Sequence, residues 1–371
     1  MPRKLVIHVG AQKCASSSLQ ASLRSLEADN PECFSFAFPK PAALRELQQL
    51  IQRNDTSGFA YLDETISRFS ADQAVLSHEM LGNRPRLVSC IADRAIQEHG
   101  FDEVVIAGYT RLQSNYHISA FSQWFFRDQK ILQNDISVLK RNQLDWRMFS
   151  ALERSLIALV KSKKDRSWRS NYQGFVQGVK QLGDRVRVVS NHIPTRDNPY
   201  SLIENFFDLT GLKKPARLVD LGRYDVRKNE SFLPVVIYAL SSYLSLKGLR
   251  PTCFPGPHEG NRWLFRVCDR LDSDSSLSRD AEQIFGSSLT NQLCGHLDCR
   301  VSDDNYAYCQ EMNVDQGFFQ PSDAARQMSW EEILDLASST AKNRELKSIQ
   351  KFNIRAQDLF MNAARAEIVS N

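Results

Sequence analysis

No apolar run in the opening segment of this 371-residue chain is long enough to cross a bilayer, since the stretch from Leu5 to Val9 is interrupted by His8 and closed by Gly10. Cysteine is sparse. Its eight residues fall at irregular spacing, which argues against a disulfide framework and for reduced, buried thiols. Cys294, His296, Cys299 and Cys309 come nearest to a zinc set, but they lack paired C-x₂-C knuckles, and packing thiols beside a surface histidine is the preferred reading. Motifs for DNA or RNA, internal repeats and a sustained heptad are also missing. The expectation is a cytoplasmic protein with no transmembrane segment and no nucleic-acid partner. A formal charge of +4 suits a small anionic ligand.

What is present is concentrated between Lys4 and Leu23, KLVIHVGAQKCASSSLQASL. Leu5, Val6, Ile7 and Val9 read as a short strand buried on both faces of a parallel sheet, and Gly10 ends it. Leu19 and Leu23 then resume at the i, i+4 spacing of a helix. Between them stand Gln12, Lys13 and three serines, Ser16, Ser17 and Ser18. Strand, tight loop and helix N-terminus together make a phosphate site, because the first N–H groups of a helix lack intrahelical partners and carry the positive end of its dipole. An ordinary βα turn with a serine cap is the competing account. A triphosphatase loop would need Gly-Lys-Ser/Thr, which this segment lacks.

The segment resembles the 5′-phosphosulfate loop of sulfotransferases that use 3′-phosphoadenosine 5′-phosphosulfate (PAPS), a Lys, variable residue, Gly, Thr/Ser, Thr/Ser pattern matched by Lys13, Ser16 and Ser17. Ala15 stands where that family usually has glycine, so the loop is expected to close without a residue that tolerates positive φ. The resemblance implies that residues 12–18 (Gln12, Lys13, Cys14, Ala15, Ser16, Ser17, Ser18) hold the 5′ end of the nucleotide. A second buried run, Ala74 to Ser77, leads into His78 and Glu79, and the family places its general base at a comparable point. Ligands in open parallel sheets gather at the carboxyl ends of strands, which brings this pair to the same crevice as Lys13. A third run, Glu103 to Gly108, exits into Arg111, with Ser119 eight residues later, the spacing of the family's 3′-phosphate site. Arg227 and Lys228 partly match its Arg-Lys-Gly closing motif, and a plain helix start at Ser231 explains the same residues.

The rest of the chain continues the alternation. Phe34, Phe36 and Phe38 suggest an edge strand, and residues 41–53 and 59–70 suggest helices. Residues 112–126 and 130–170 also read as helical, the latter with a basic cluster from Lys161 to Arg169 that is best taken as a solvated face. Trp168 and Tyr172 could stack on a sugar or pack in a core. A fourth predicted strand, Arg185 to Ser190, precedes a helix stopped by Gly211. The Pro/Gly stretch 251–260 reads as a junction or lid, and helices resume at 261–271, 280–284 and 330–371.

These observations predict a three-layer α/β fold with a P-loop-type parallel sheet flanked by helices. The domain boundary expected is 1–320, followed by a helical extension, 321–371, on the domain or on a second copy. The function that the resemblance implies is metal-free transfer of a sulfuryl group from PAPS to a hydroxyl of a carbohydrate or glycolipid, with affinity to bacterial members of the family. Lys13, Glu79 and His78 are its expected catalytic residues. A P-loop ATP-dependent kinase and a noncatalytic nucleotide-binding protein on the same fold are the alternatives.

Overall fold

The computed structural model describes residues 2–11, 13–53, 59–122, 129–164, 167–194, 201–215, 220–224, 275–286 and 288–369. Gln12, Arg227, Lys228 and the segments 251–260 and 261–271 lie outside the described residues. The described chain divides into two compact units: residues 1–112, 167–230 and 303–320, and residues 113–166, 231–302 and 321–371.

The first unit is built on five parallel strands, β1 (Lys4–His8), β2 (Ser35–Ala37), β3 (Gln73–Ser77), β4 (Glu103–Thr110) and β5 (Val186–His192), in the order β2-β3-β1-β4-β5. β1 lies in the middle, with Leu5 opposite Ala74 on one side and Val104 on the other. Leu5, Val6 and Ile7 are fully buried, as the continuous apolar run requires. The predicted edge strand of alternating phenylalanines is β2, at one margin of the sheet. Phe34 is buried against Phe207, while Phe38 is exposed.

Right-handed crossovers dictate which face each helix covers. The chain leaves β1 toward β2 in one direction and passes from β3 to β4 in the other. The helix of the first connection, α1 (Ser16–Asp29), must therefore lie on the opposite face from α4 (Pro85–Gln97). Helices α2 (Pro41–Gln52), α3 (Ala60–Ser67) and α8 (Trp168–Val179) contact α4, and α9 (Leu202–Thr210) contacts α1. Helices thus flank the sheet on both faces. The reversal falls at β1, so the crevice beyond its carboxyl end is where an open sheet of this kind takes ligands.

Local signals explain the helix boundaries. Pro41 and Pro85 open α2 and α4, where a missing N–H costs no intrahelical bond. Ser201 and Glu204 form a reciprocal capping box on α9, and Gly211 ends that helix in the left-handed conformation, φ 66°.

The second unit is helical. It contains α5 (Gln113–Phe121), α6 (Gln129–Arg141), α7 (Ala151–Ser162), α10 (Ser275–Phe285), α11 (Ser288–Arg300), α13 (Trp330–Lys342) and α14 (Leu346–Val369). Helix α12 (Ser302–Met312) returns to the first unit from residue 303 onward. Leu139, Leu156, Ile157, Leu289, Phe285 and Phe352 are among the side chains of the helical core. The two C-terminal helices therefore share a core with residues from the middle of the chain. Among the described residues, no helix is long and apolar enough to cross a membrane.

Candidate functional site at the carboxyl end of the central strand

The loop after β1 is shaped by contacts that leave no room for side chains. Val9 N–H extends the strand by donating to Ala107 O at 2.8 Å. A Cβ on Gly10 would meet Ser16 Oγ at 2.2 Å and the His8 ring at 2.6 Å, and one on Gly82 would meet Val9 O at 2.9 Å. Both glycines are dictated by close approach rather than by φ. The loop then closes through Cys14 N–H to Ala11 O, 3.1 Å, and Ser16 Oγ to Ala11 O, 3.2 Å.

Closure corrects one sequence expectation. Ala15 itself adopts positive φ, 58°, and Lys13 does too, φ 70°. A Cβ in this region crowds the carbonyl oxygen, a cost of about 1–2 kcal/mol per residue, so two strained residues stand in a loop of seven. Ala15 is also the cap position of α1, and no side chain caps that helix. Cys14 is fully buried, so its contribution to a ligand would come through the backbone.

Glu79 and His78 follow β3 and face different surroundings. Ser17 Oγ donates to Glu79 Oε1 at 3.3 Å, which ties the carboxylate to the first turn of α1. Burial pushes the Glu79 carboxyl above the usual range, partly offset by the Ser17 hydrogen bond and the Lys13 charge. His78 turns into the fold: its Nδ1 accepts from Met80 N–H at 2.9 Å, and its ring stacks on Phe38 with centroids 4.7 Å apart. Desolvation, aided by Arg84 and Arg45, lowers its pKa to about 4. A ring nitrogen that accepts from a backbone N–H leaves the proton on Nε2. In this arrangement His78 can donate from Nε2 but has no lone pair there to take a proton, so of the two side chains the Glu79 carboxylate is the one able to accept one.

Arg111 leaves β4 at the same rim, and its Nη1 donates to Lys13 O at 3.4 Å. Desolvation lowers its pKa, and no carboxylate among the described residues pairs with it. Its own carbonyl accepts from the fully buried Trp168 Nε1–H at 2.8 Å. Behind it, Tyr308 OH bonds Ser190 Oγ at 2.6 Å and Thr110 Oγ1 at 3.3 Å, tying α12 to the ends of β4 and β5. Trp168 and Tyr172 are thus core residues that steady the rim, and the sugar-stacking alternative for them falls away. Ser119 is buried on α5, in the helical unit.

Sequence inspection missed the layer under the loop. His8 is fully buried, its Nδ1 lies 2.7 Å from Ser77 Oγ, and Gln20 Nε2 donates to the same hydroxyl at 3.1 Å. Desolvation drops the His8 pKa to about 3, which makes it a neutral strut between β1, β3 and α1. Its position one residue from the glycine-bounded turn was the available signal. His296 is another correction, since it is buried and its Nδ1 accepts from Met328 N–H at 2.9 Å, so it is not a surface histidine. The basic cluster is partly engaged within the fold: Lys161 lies 4.4 Å over the Trp330 ring and Arg169 pairs with Glu311 at 2.6 Å.

At one rim of the sheet the fold therefore gathers a strained loop with a lysine, an uncapped helix start, a half-buried carboxylate and an arginine with no carboxylate partner among the described residues. Comparison with family models, with curated proteins and with solved structures returned no match.

Proposed function

We propose that this rim binds PAPS and that the protein transfers a sulfuryl group to a hydroxyl of a carbohydrate or glycolipid. Arg111 is the observation that carries the reading. A guanidinium drawn out of water is costly unless an anion meets it, and among the described residues its guanidinium donates to the carbonyl of Lys13 and pairs with no carboxylate. A nucleotide with phosphates at both the 5′ and 3′ positions supplies one anion for the loop and another for Arg111. The left-handed turn at Lys13 and Ala15 and the uncapped start of α1 suit the 5′ phosphate.

The bound co-substrate would supply the sulfuryl group and a phosphate-ended leaving group. Glu79 takes the proton of the acceptor hydroxyl, a role strengthened by its burial. The acceptor oxygen bonds to sulfur as the bond from sulfur to the bridging oxygen breaks. Lys13 meets the negative charge that grows on that departing oxygen, and Ser17 keeps the carboxylate of Glu79 aimed at the loop.

Calorimetry and transfer assays test this reading. The bisphosphate product, 3′-phosphoadenosine 5′-phosphate (PAP), should bind more tightly than AMP, and Arg111→Ala should weaken PAP much more than AMP. Lys13→Ala should lower transfer of labelled sulfate by roughly a thousandfold with the fold retained. Equal losses for the two nucleotides, or tighter binding of ATP with magnesium than of PAP, would overturn the assignment. PAP binding without transfer to any of a panel of cell-envelope glycans would instead identify a noncatalytic binding protein.

A further inference from the structure

Beside Glu79 lies a second positive feature that the nucleotide reading does not use. Among the described residues, Arg84, the residue before α4, has a buried Nη1 without a hydrogen-bond partner, and the buried His78 has none at Nε2. His78 is only 5% exposed. Native folds pair nearly all such buried donors, so two of them on adjoining residues require an explanation. The charges acting on His78 are Arg84 and Arg45, and the charge acting on Arg84 is Arg45. Arg45 and Arg84 repel one another and disfavour a charge on His78, and no carboxylate among the described residues acts on His78 or Arg84. Such a cluster costs stability in the empty protein. It is complementary to an acceptor of negative charge, which would take one hydrogen bond from Arg84 Nη1 and one from His78 Nε2.

The neighbouring surface narrows the class of ligand. Phe38 covers the His78 ring and is itself 42% exposed, an apolar plane of the kind against which the C–H face of a sugar packs. Arg45 is exposed on α2 and so reaches solvent from the same cluster. Glu79, the neighbour of His78, is the base that the proposed transfer needs.

We propose that Arg45, Arg84, His78 and Phe38 form an acceptor subsite for an acidic sugar, one that carries a carboxylate or sulfate group close to the hydroxyl that reacts at Glu79. The inference rests on the sulfotransferase reading for the identity of the reaction, but the binding of an acidic sugar does not depend on it. The subsite selects by charge: the hydroxyls of a neutral sugar can accept from both donors, but only weakly, and they leave the arginine charges uncompensated.

The test uses the full-length protein and an oligosaccharide of glucuronic acid, compared with the same oligosaccharide after its carboxyl groups are reduced to primary alcohols. Calorimetry at about 0.1 M salt should give at least tenfold tighter binding of the acidic form. Arg84→Ala should remove that preference, and so should Arg45→Ala, an exposed site where folding is not at risk. A sulfated form of the reduced oligosaccharide that binds as well as the uronate shows that the subsite reads charge, and weaker binding of it shows a carboxylate preference. Equal affinity for acidic and reduced forms, no binding of either, or a preference that survives both arginine substitutions would overturn the proposal. PAP affinity, measured on the same samples, reports separately on the nucleotide site, so failure of one reading is told apart from failure of the other.

Discussion

Two serine-led helices in this protein begin in opposite ways. At α7 the Ser150 side chain accepts from Glu153 N–H at 3.2 Å while Glu153 accepts from Ser150 N–H at 2.8 Å. At α1 three consecutive serines leave the cap position to Ala15, and Ser16 and Ser17 turn to Ala11 O and to Glu79. The same contrast holds for arginines. Arg344 in the helical unit meets the fully buried Glu153 at 2.7 Å and also donates to Met148 O, whereas Arg111 in the sheet unit has no carboxylate partner among the described residues. Glu153 and Arg344 satisfy each other inside the fold. The start of α1 and Arg111 leave donors that, on the proposed reading, an anion would meet.

Substitutions can break this comparison, and the largest effect should come from the paired arginine. Arg344→Met leaves Glu153 buried without its partner and should cost about 3–5 kcal/mol in denaturant unfolding. Arg111→Met in the nucleotide-free protein should cost under ~1 kcal/mol or stabilise. A loss at Arg111 as large as at Arg344 would show that Arg111 serves the fold.

Asp135 sharpens the contrast, because it is the acid in the helical unit that burial affects most among the described residues. Desolvation raises its pKa to about 7, against the pull of Arg154. The folded state then holds the proton more tightly than the unfolded chain. Its contribution is complete below pH ~4 and is lost as pH rises to about 7, an amount on the order of 4 kcal/mol. Thermal unfolding between pH 4 and 8 should show this decline, and Asp135→Asn should flatten it. A wild-type profile already flat across that window would exclude the proton from this site.

Smaller effects test the helix starts. Ser150→Ala should destabilise by about 1–2 kcal/mol, while Ser17→Ala, which removes no cap, should change stability little and reduce transfer activity. Similar stability losses at the two sites would mean that Ser17 is structural. Ala15→Gly should stabilise by about 1 kcal/mol through relief of the left-handed strain, read as a rise of a few degrees in Tm. No gain would place the strain elsewhere in the loop.

Much of the sheet unit was legible because its signals are local. The apolar runs of β1, β3 and β4, the prolines of α2 and α4 and the Gly211 stop each act within a few residues. Lys13, Glu79 and Arg111 could be picked out because each follows such a run. The helices α11 and α12 went unassigned: Leu289, Leu293 and Leu297 do recur on one face of α11, but His296 and Asp298 are buried beside them, and polar residues on the inner side blur the pattern. The His8, Ser77 and Gln20 layer escaped for a related reason, since its partners are 57 and 69 residues apart. Positive φ at Ala15 ran against residue type altogether. Tertiary contacts impose it, and local preference opposes it.

The middle position of β1 also bears on how the protein is made. β1 is synthesised before either strand that flanks it, and its partners arrive only with residues 73–77 and 103–110. Until then both of its margins present open amide and carbonyl rows on an apolar ribbon. Nascent chains arrested before residue 103 should therefore be sticky and protease-sensitive, and resistance should set in only after β4 emerges.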